Sequence, residues 1–291
     1  DNNQDPTHLY AQNGQYTIQL KVISPDFCVD STTQPVTVFA LPVAQFTAEP
    51  VCDGFPVIFQ NTSSIGFPDN IVLWQWDYGD GTPPDLAVNA NHLYPGDGSY
   101  IAELLIVSGH GCRDSISQSV TVYPVPVPDF SADVQAGCEP LCVQFADQTT
   151  IVSGHIQTWN WNLGDLTTSN IQNPQDCYYN GNNFNSLFVD VFLEVISGFG
   201  CKADTIINNF LEVYPVPRAE FTLSPIQTSM LEPRVDFTDA SINPAAWRWD
   251  FGEPDIFSDT SNLQNPYYDY VGWGHLPVTL IVANSYGCLD T

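Results

Sequence analysis

The chain has 291 residues, length for one large domain or two to four small ones, and 43% are hydrophobic, so cores can form and a disordered polymer is excluded. Six Lys and Arg face thirty-three Asp and Glu, a formal charge of −27, which repels phosphate backbones and anionic lipid and excludes nucleic acid and membrane surfaces as partners. Such a surface suits salty surroundings, where screening weakens self-repulsion.

In chain order, residues 1–42 carry a P-x-x-x-Y stretch (Pro6 to Tyr10) and then "YTIQLKV" at 16–22, which alternates apolar and polar residues as a half-buried strand does. A junction, "VFALPVAQF" at 38–46, leads to a V-x-F strand at Val57–Phe59, to "WQWDYGDGT" at 74–82, to "NHLY" and to a second long alternating strand. A Gly-Cys follows, and then Asp-Ser. The same order returns after "VYPVPVPDF" at 122–130, with Val143–Phe145 and "WNWNLGDLT", and after "VYPVPRAEF" at 213–221, with Val235–Phe237 and "WRWDFGEPD". Phe46 to Phe130 is 84 residues and Phe130 to Phe221 is 91, so a unit of about 90 residues repeats. Pro, Gly, Asn and Asp clusters break the short strands, and no convincing amphipathic helix occurs. The pattern predicts an all-β chain of small antiparallel β-sandwiches in tandem.

The predicted divisions are 1–42, the C-terminal half of a repeat; 43–126 and 127–217, whole repeats; and 218–291, a repeat lacking its last strand. Half a sandwich exposes its core and an edge. The chain is therefore expected to be a window on a longer array, or to have its ends completed by neighbours. From the aromatic of each last strand to the next Phe the spacing is constantly seven (Phe39–Phe46, Tyr123–Phe130, Tyr214–Phe221), and two junctions contain P-x-P. Fixed length and stiffness predict a fixed angle between units, hence a rod.

On a strand, residues two apart share a face. Trp74, Trp76 and Tyr78 therefore point one way, as do Trp159, Trp161, Leu163 and Trp247, Trp249, Phe251. The intervening Gln75, Asn160 and Arg248 have little in common, so the aromatic side is predicted to be core and the other side solvent.

"WQWDYGDGT…NHLYPGDGSYIAELLIV" resembles the signature of the polycystic kidney disease (PKD) domain, an immunoglobulin-like sandwich, which reads W-D-F-G-D-G-T, H-x-Y and G-x-Y before a hydrophobic strand. Residues 127–217 follow it with Asn162 and Leu166 in place of an acid and a glycine, and residues 218–291 depart further, with Glu253-Pro254 in place of D-G. An early Cys combined with G-C-x-D-[ST] is similar to PKD repeats in large surface proteins of the Bacteroidetes, including gliding and adhesion proteins. The resemblance implies extracellular spacing or interaction modules and no catalysis.

The acidic turn offers Asp77, Asp80 and Asp85 as calcium candidates, but it does not fit the D-x-[DN]-x-[DN]-G loop, and the later copies carry Asn162 and Pro254 instead. A turn in which Asp and Gly satisfy backbone groups explains the same residues, so no metal and no cofactor is expected. His8 and His92 share a slot with Asp176 and Tyr268, which a catalytic base would not tolerate. No G-x-S-x-G, H-E-x-x-H or P-loop motif occurs.

The eight cysteines, at 28, 52, 112, 138, 142, 177, 201 and 288, contain no C-x-x-C pair, which points to structural disulfides made in an oxidising compartment. The chain opens without Met, has no stretch of transmembrane length and shows no signal peptide, and is read as a mature or partial extracellular product without membrane insertion. Cys52 and Cys138 each lie seven before the Phe of V-x-F; joining each to its own unit's Gly-Cys predicts Cys52–Cys112 and Cys138–Cys201, which leaves Cys142–Cys177. The matching slot in the last unit is Met230, leaving Cys288 free or bonded elsewhere, and Cys28 would find its partner upstream. Asp-Ser/Thr after Gly-Cys resembles the D-[ST]-[AILVMT] acceptor of Bacteroidetes O-glycosylation, giving Ser31, Ser115, Thr205 and Thr291 as glycan sites. The plain alternative is a strand start whose side chains bond the backbone. Asn61 in "NTS" is a lone N-glycosylation sequon.

The leading expectation is a structural segment of a long filament or adhesin stalk at a bacterial surface, its partners being copies of itself or further repeats. A binding reading makes the modules themselves binders of surface glycans or proteins, with Tyr267, Tyr268 and Trp273 as residues that could stack on sugars. A third, modules accessory to an enzyme, needs a catalytic domain outside these residues.

Overall fold

The computed structural model describes residues 3–253, 256 and 259–291. The chain is all-β, and no helix occurs among the described residues. It forms two compact units, 1–125 and 126–291.

The first unit holds a hairpin and one sandwich. In the hairpin, Gly14–Ile23 pairs antiparallel with Val29–Val38. In the sandwich, a three-stranded sheet (Phe46–Ala48, Val57–Asn61, Ala90–His92) faces a four-stranded one (Val51–Cys52, Arg113–Tyr123, Gly98–Ser108, Ile71–Asp77). The core between them is built from residues two apart on facing strands, among them Val57, Phe59, Trp76, Leu104 and Ile106. The long hairpin Gly98–Ser108/Arg113–Tyr123 has a counterpart 84 residues earlier: Gly14 and Gly98 share φ 153°, and Tyr16 and Tyr100 donate to the carbonyls of Gln12 and Gly96. The faces differ in cover. Ala102, Leu104 and Ile106 are wholly buried, whereas Ile18, Leu20 and Val22 are about half exposed, because no opposing sheet covers the first hairpin among the described residues.

The second unit holds two sandwiches. In the first, Phe130–Ala132, Leu141–Asp147 and Gln175–Tyr178 face a five-stranded sheet in the order Ala136–Cys138, Lys202–Tyr214, Leu187–Ser197, Ile156–Asn162, Thr168–Ser169. In the second, Phe221–Ser224, Arg234–Asp239 and Tyr267–Asp269 face Thr260–Ser261, Ala246–Asp250, Thr279–Ala283 and Leu289–Asp290. The buried cores number 14 residues in the first and 6 in the second, so the last sandwich is the least self-sufficient.

The cysteine pairing departs from the sequence reading. Cys142 and Cys177 sit directly opposite each other and are bonded, as expected. Cys138, however, is bonded to Cys288 in the following sandwich, not to Cys201. Cys52 and Cys201 are also disulfide-bonded, while Cys112 is free, so the predicted Cys52–Cys112 pair is not made either. The reason is register. The short strand Ala136–Cys138 runs parallel to the far end of Lys202–Tyr214, with Cys138 beside Tyr214. Cys201 precedes the start of that strand, 13 residues from Tyr214, about 40 Å at ~3.3 Å per residue, far outside disulfide reach. Cys52 sits beside Tyr123 in the same way, 11 residues from Cys112. Cys28 is free and exposed.

Candidate functional site: the repeated aromatic turn and the junction

The aromatic side of each W-x-W strand is core. Trp76, Trp161 and Trp249 are fully buried, with Tyr78, Leu163 and Phe251 two residues on, while Trp74, Trp159 and Trp247 are half-buried at the edge of the same cores. Each inner indole N–H donates to a backbone carbonyl: Trp76 to Ala87 (2.9 Å), Trp161 to Ile171 (3.0 Å), Trp249 to Leu263 (2.8 Å). These bonds tie the strand to the loop that follows it and satisfy the one polar atom of a buried ring.

The turn after the strand explains its own variation. Asp77, Asn162 and Asp250 each accept the N–H of the glycine two residues on (2.9, 3.0 and 2.9 Å). Only a side-chain oxygen is needed for this Asx-turn, so Asn162 replaces the acid without loss. The glycine itself is fixed by two constraints. Gly79, Gly164 and Gly252 have φ of 77°, 92° and 80°, and a Cβ there would stand 2.3 Å from the carbonyl oxygen of Ile101, Asp190 and Pro277 respectively. A tyrosine closes the assembly in each copy: Tyr94, Tyr178 and Tyr270 donate to the carbonyls of Tyr78, Leu163 and Phe251 (3.1, 2.9 and 3.3 Å). The P-x-x-x-Y landmark thus locks the W-D-Φ-G turn, a role that its spacing alone did not reveal.

The calcium candidates are engaged in this turn. Asp80 accepts from Thr82 N (3.0 Å) and Thr82 Oγ1 (2.6 Å) and pairs with His92 Nε2 (2.6 Å), and Asp85 accepts from Ala87 N (2.9 Å) and Tyr78 Oη (3.2 Å). Among the described residues no group of three or more His, Cys, Asp or Glu is arranged to hold a metal ion. Pro254 lies outside the described residues. Burial alone would raise the Asp80 carboxyl, but hydrogen bonds from Thr82 and His92 outweigh it and hold it at about 2. A carboxylate with a depressed pKa contributes stability above its unfolded value of ~3.9 and loses it as pH falls through the folded value. The acid limb of the 43–124 sandwich's stability between about pH 4 and 2 should therefore flatten in Asp80→Asn, as read by hydrogen exchange of Gly98–Ser108 across that range.

The exchangeable slot has one physical role in two copies. His92 stacks on Tyr78 (3.9 Å between ring centroids) and bonds Asp80; Tyr268 stacks on Phe251 (4.4 Å) and donates to Glu253 (2.7 Å). An aromatic ring with a polar tip aimed at the turn's acid is what these two copies share. In the middle copy Asp176 instead accepts Cys177 N, its other oxygen buried without a hydrogen bond among the described residues. His8 lies against Tyr10 in the first unit.

Leu166 stands where the first copy has Gly81 and keeps its backbone conformation, φ 79° against 85°. A leucine there carries the left-handed penalty of ~1–2 kcal/mol, so Leu166→Gly should stabilise the 127–217 sandwich by about 0.5–1 kcal/mol after the unfolded-chain entropy of glycine is offset. Exchange of the Leu187–Ser197 amides reads this directly.

The Asp-Ser/Thr motif is not at one structural place. Asp114 and Asp290 accept the junction amides of Ala44 and Ala219 (both 2.7 Å), which leaves Ser115 exposed on the next strand position. Residue 203 adds one position between Cys201 and Asp204, so Thr205 pairs with the buried Leu193 and is half-buried. Ser31 and Thr291 are exposed. Asn61 is half-buried, its side-chain oxygen accepting Ser63 N.

Junction residues carry a second recurrent cluster. At 214–219, Tyr214 stacks on Tyr286 (4.6 Å), buried Asn284 donates to the Pro215 carbonyl (2.7 Å) and accepts Tyr286 N and Cys288 N, and Cys138–Cys288 closes it covalently. At 39–44, Phe39 stacks on His110 (3.6 Å), and Ser108 takes the Asn284 position, accepting Cys112 N. Tyr267 lies under Arg234 and is exposed, Tyr268 is turned into the sandwich and Trp273 is exposed, so the three form no common platform.

These features define tandem immunoglobulin-like β-sandwiches whose conserved-looking motifs are structural. Residues 39–124 match the family model of the PKD domain, so that segment is a PKD domain. The PKD1 domain of the Vibrio cholerae metalloprotease PrtV is 33% identical over 28% of this chain and 96% of that one (TM-score 0.26), and the PKD1 domain of Vibrio anguillarum Epp is 24% identical over 29% and 96% (TM-score 0.27). A three-immunoglobulin structure of titin domains I67–I69 is 12% identical over 87% of this chain and 98% of that one (TM-score 0.47). Six disulfide-bonded cysteines on this fold favour an extracellular or secreted protein.

Proposed function

We propose that the chain is a structural segment of an extracellular filament or adhesin stalk at a bacterial surface, made of consecutive PKD-type sandwiches. The observation that carries this reading is the junction at 214–219, where a disulfide, a buried asparagine bonded to a backbone carbonyl and a stacked tyrosine pair join one sandwich to the next. A flexible tether between independent binding modules needs none of these. The acids of the aromatic turns bond the backbones and side chains of their own turns. Electron cryo-microscopy of the native assembly tests the reading: density continuing through consecutive sandwiches supports it, and isolated modules on flexible linkers sink it.

Ser31, Ser115 and Thr291 are proposed as O-glycan acceptors, being exposed beside an aspartate, whereas Thr205 turns inward. Intact mass of the native protein, followed by peptide mapping, should show added glycan on Ser115 and none on Thr205.

A further inference from the structure

Two features that break the pattern of the repeat meet at the 214–219 junction. The first is a longer loop. Tyr94 and Gly98 are separated by three residues, but Tyr178 and Leu187 are separated by eight. These are the same places, because Gly98 pairs with Val122 and Leu187 with Val213. The second is a left-handed residue. Asn243 has φ 55° and follows Ile242, whose bridge to Arg218 repeats Val43–Ser64 and Val127–Thr150. The residues after Ser64 and Thr150 are Ile65 and Ile151, and a β-branched side chain is poorly tolerated at positive φ, so the left-handed asparagine is particular to the last sandwich.

The longer loop, "YNGNNFNS" at 179–186, exposes Tyr179 and Phe184 among asparagines, a composition that would suit a glycan site. Its asparagines at 180, 182 and 183 are instead bonded to backbone groups. Glu139, next to the bridged Cys138, accepts Asn180 N and Gly181 N (2.5 and 2.9 Å) and holds the loop at its base. Asn180 Nδ2 donates to the carbonyls of Asn185 and Val213 (both 2.8 Å), and Asn182 Oδ1 accepts Phe184 N and Asn185 N (2.8 and 3.2 Å). The tip then leaves its own sandwich. Asn183 Nδ2 donates to the Val216 carbonyl in the junction (3.1 Å), and the Asn183 carbonyl accepts Asn243 Nδ2 of the following sandwich (2.6 Å).

We propose that residues 179–186 are a strap that fixes the orientation of the 218–291 sandwich on the 127–217 sandwich, its partner surface being the turn after Ile242. The longer loop supplies the reach, and the left-handed Asn243 supplies the donor that meets its tip. Cys138–Cys288 and the Asn284 contact hold the 284–288 turn of the last sandwich; the strap holds a second turn, so rotation about the disulfide is opposed. Hydrogen bonds add direction to distance, which a single covalent tether does not. The strap also makes these two neighbours specific to each other. The three residues between Tyr94 and Gly98 have none to spare for such a reach, and isoleucine at 65 or 151 offers no side-chain donor. This rests on the array reading, since an orientation is fixed only between joined sandwiches.

The test is pulsed electron paramagnetic resonance on the full chain, with non-cysteine spin labels at exposed Gln175 and Asp236, which reads the distances between the two sandwiches. The native chain should give one narrow peak. Asn243→Gly keeps the left-handed backbone and removes the donor, and Asn183→Ala removes the bond to Val216; each should widen the peak about twofold or more. Replacing 179–186 by "PGD", the sequence at 95–97, should widen it at least as much. Unchanged width in both point variants overturns the proposal, and widening by the shortened loop alone overturns the assignment of the partner turn. Hydrogen exchange of Leu187–Ser197 and Thr279–Ala283 should stay near native in the point variants; a steep rise would make these bonds supports of a single sandwich and overturn the strap. A broad native peak contradicts the array reading itself, whereas a narrow native peak unmoved by the variants contradicts the strap alone.

Discussion

Replacing Gly79 by alanine is expected to cost the 43–124 sandwich about 3–5 kcal/mol, among the largest effects of any single change in the chain. The left-handed conformation, φ 77°, costs an alanine only ~1–2 kcal/mol. The remainder comes from contact: the added Cβ meets the Ile101 carbonyl oxygen at 2.3 Å, and that carbonyl belongs to a central strand that cannot retreat without breaking its ladder. Gly81 is the internal control. Its φ is 85°, but a Cβ there meets nothing within 4 Å, so Gly81→Ala should cost only the ~1–2 kcal/mol conformational part. Exchange protection of the Gly98–Ser108 amides in the two variants separates the parts. Equal losses would show that the close approach is not what holds the glycine.

Removing Cys138–Cys288 in a double serine variant is expected to have the second large effect. The closed loop spans 150 residues, for which chain-entropy reasoning gives a stabilisation of about 5 kcal/mol. The loss should fall mainly on residues 218–291, whose buried core is under half the size of its neighbour's. Exchange of the Thr279–Ala283 amides should therefore rise steeply while that of Leu187–Ser197 changes little. The stacked tyrosines and Asn284 remain, so the junction should loosen and the preceding fold stay intact.

What could be read from the sequence was local. Period-two spacing identified the aromatic face, and Asn162 in place of an acid already fitted a turn whose side chain satisfies a backbone N–H, because an Asx-turn needs only an oxygen. Cys142–Cys177 could be read from the sequence, but the Cys138–Cys288 pairing was illegible for a physical reason. Register along Lys202–Tyr214 sends Cys138 to one end of the strand and Cys201 to the other, and a short parallel pairing such as Ala136–Cys138 leaves no pattern in the sequence. The inward turn of Thr205 was legible and overlooked: one extra residue after Cys201 puts Asp204 and Thr205 on the faces opposite to those of Asp114 and Ser115. The exchange of His92 for Tyr268 argued against a catalytic base, and in both copies the ring stacks on the turn and points a polar atom at its acid.

The most direct measurement is peptide mapping of the unreduced native protein by mass spectrometry. The account predicts a cross-linked species joining the Cys138 peptide to the Cys288 peptide, with Cys142 joined to Cys177. A Cys138–Cys201 species in its place would confine the staples within single sandwiches and contradict the claim that covalent junctions make this chain a structural array.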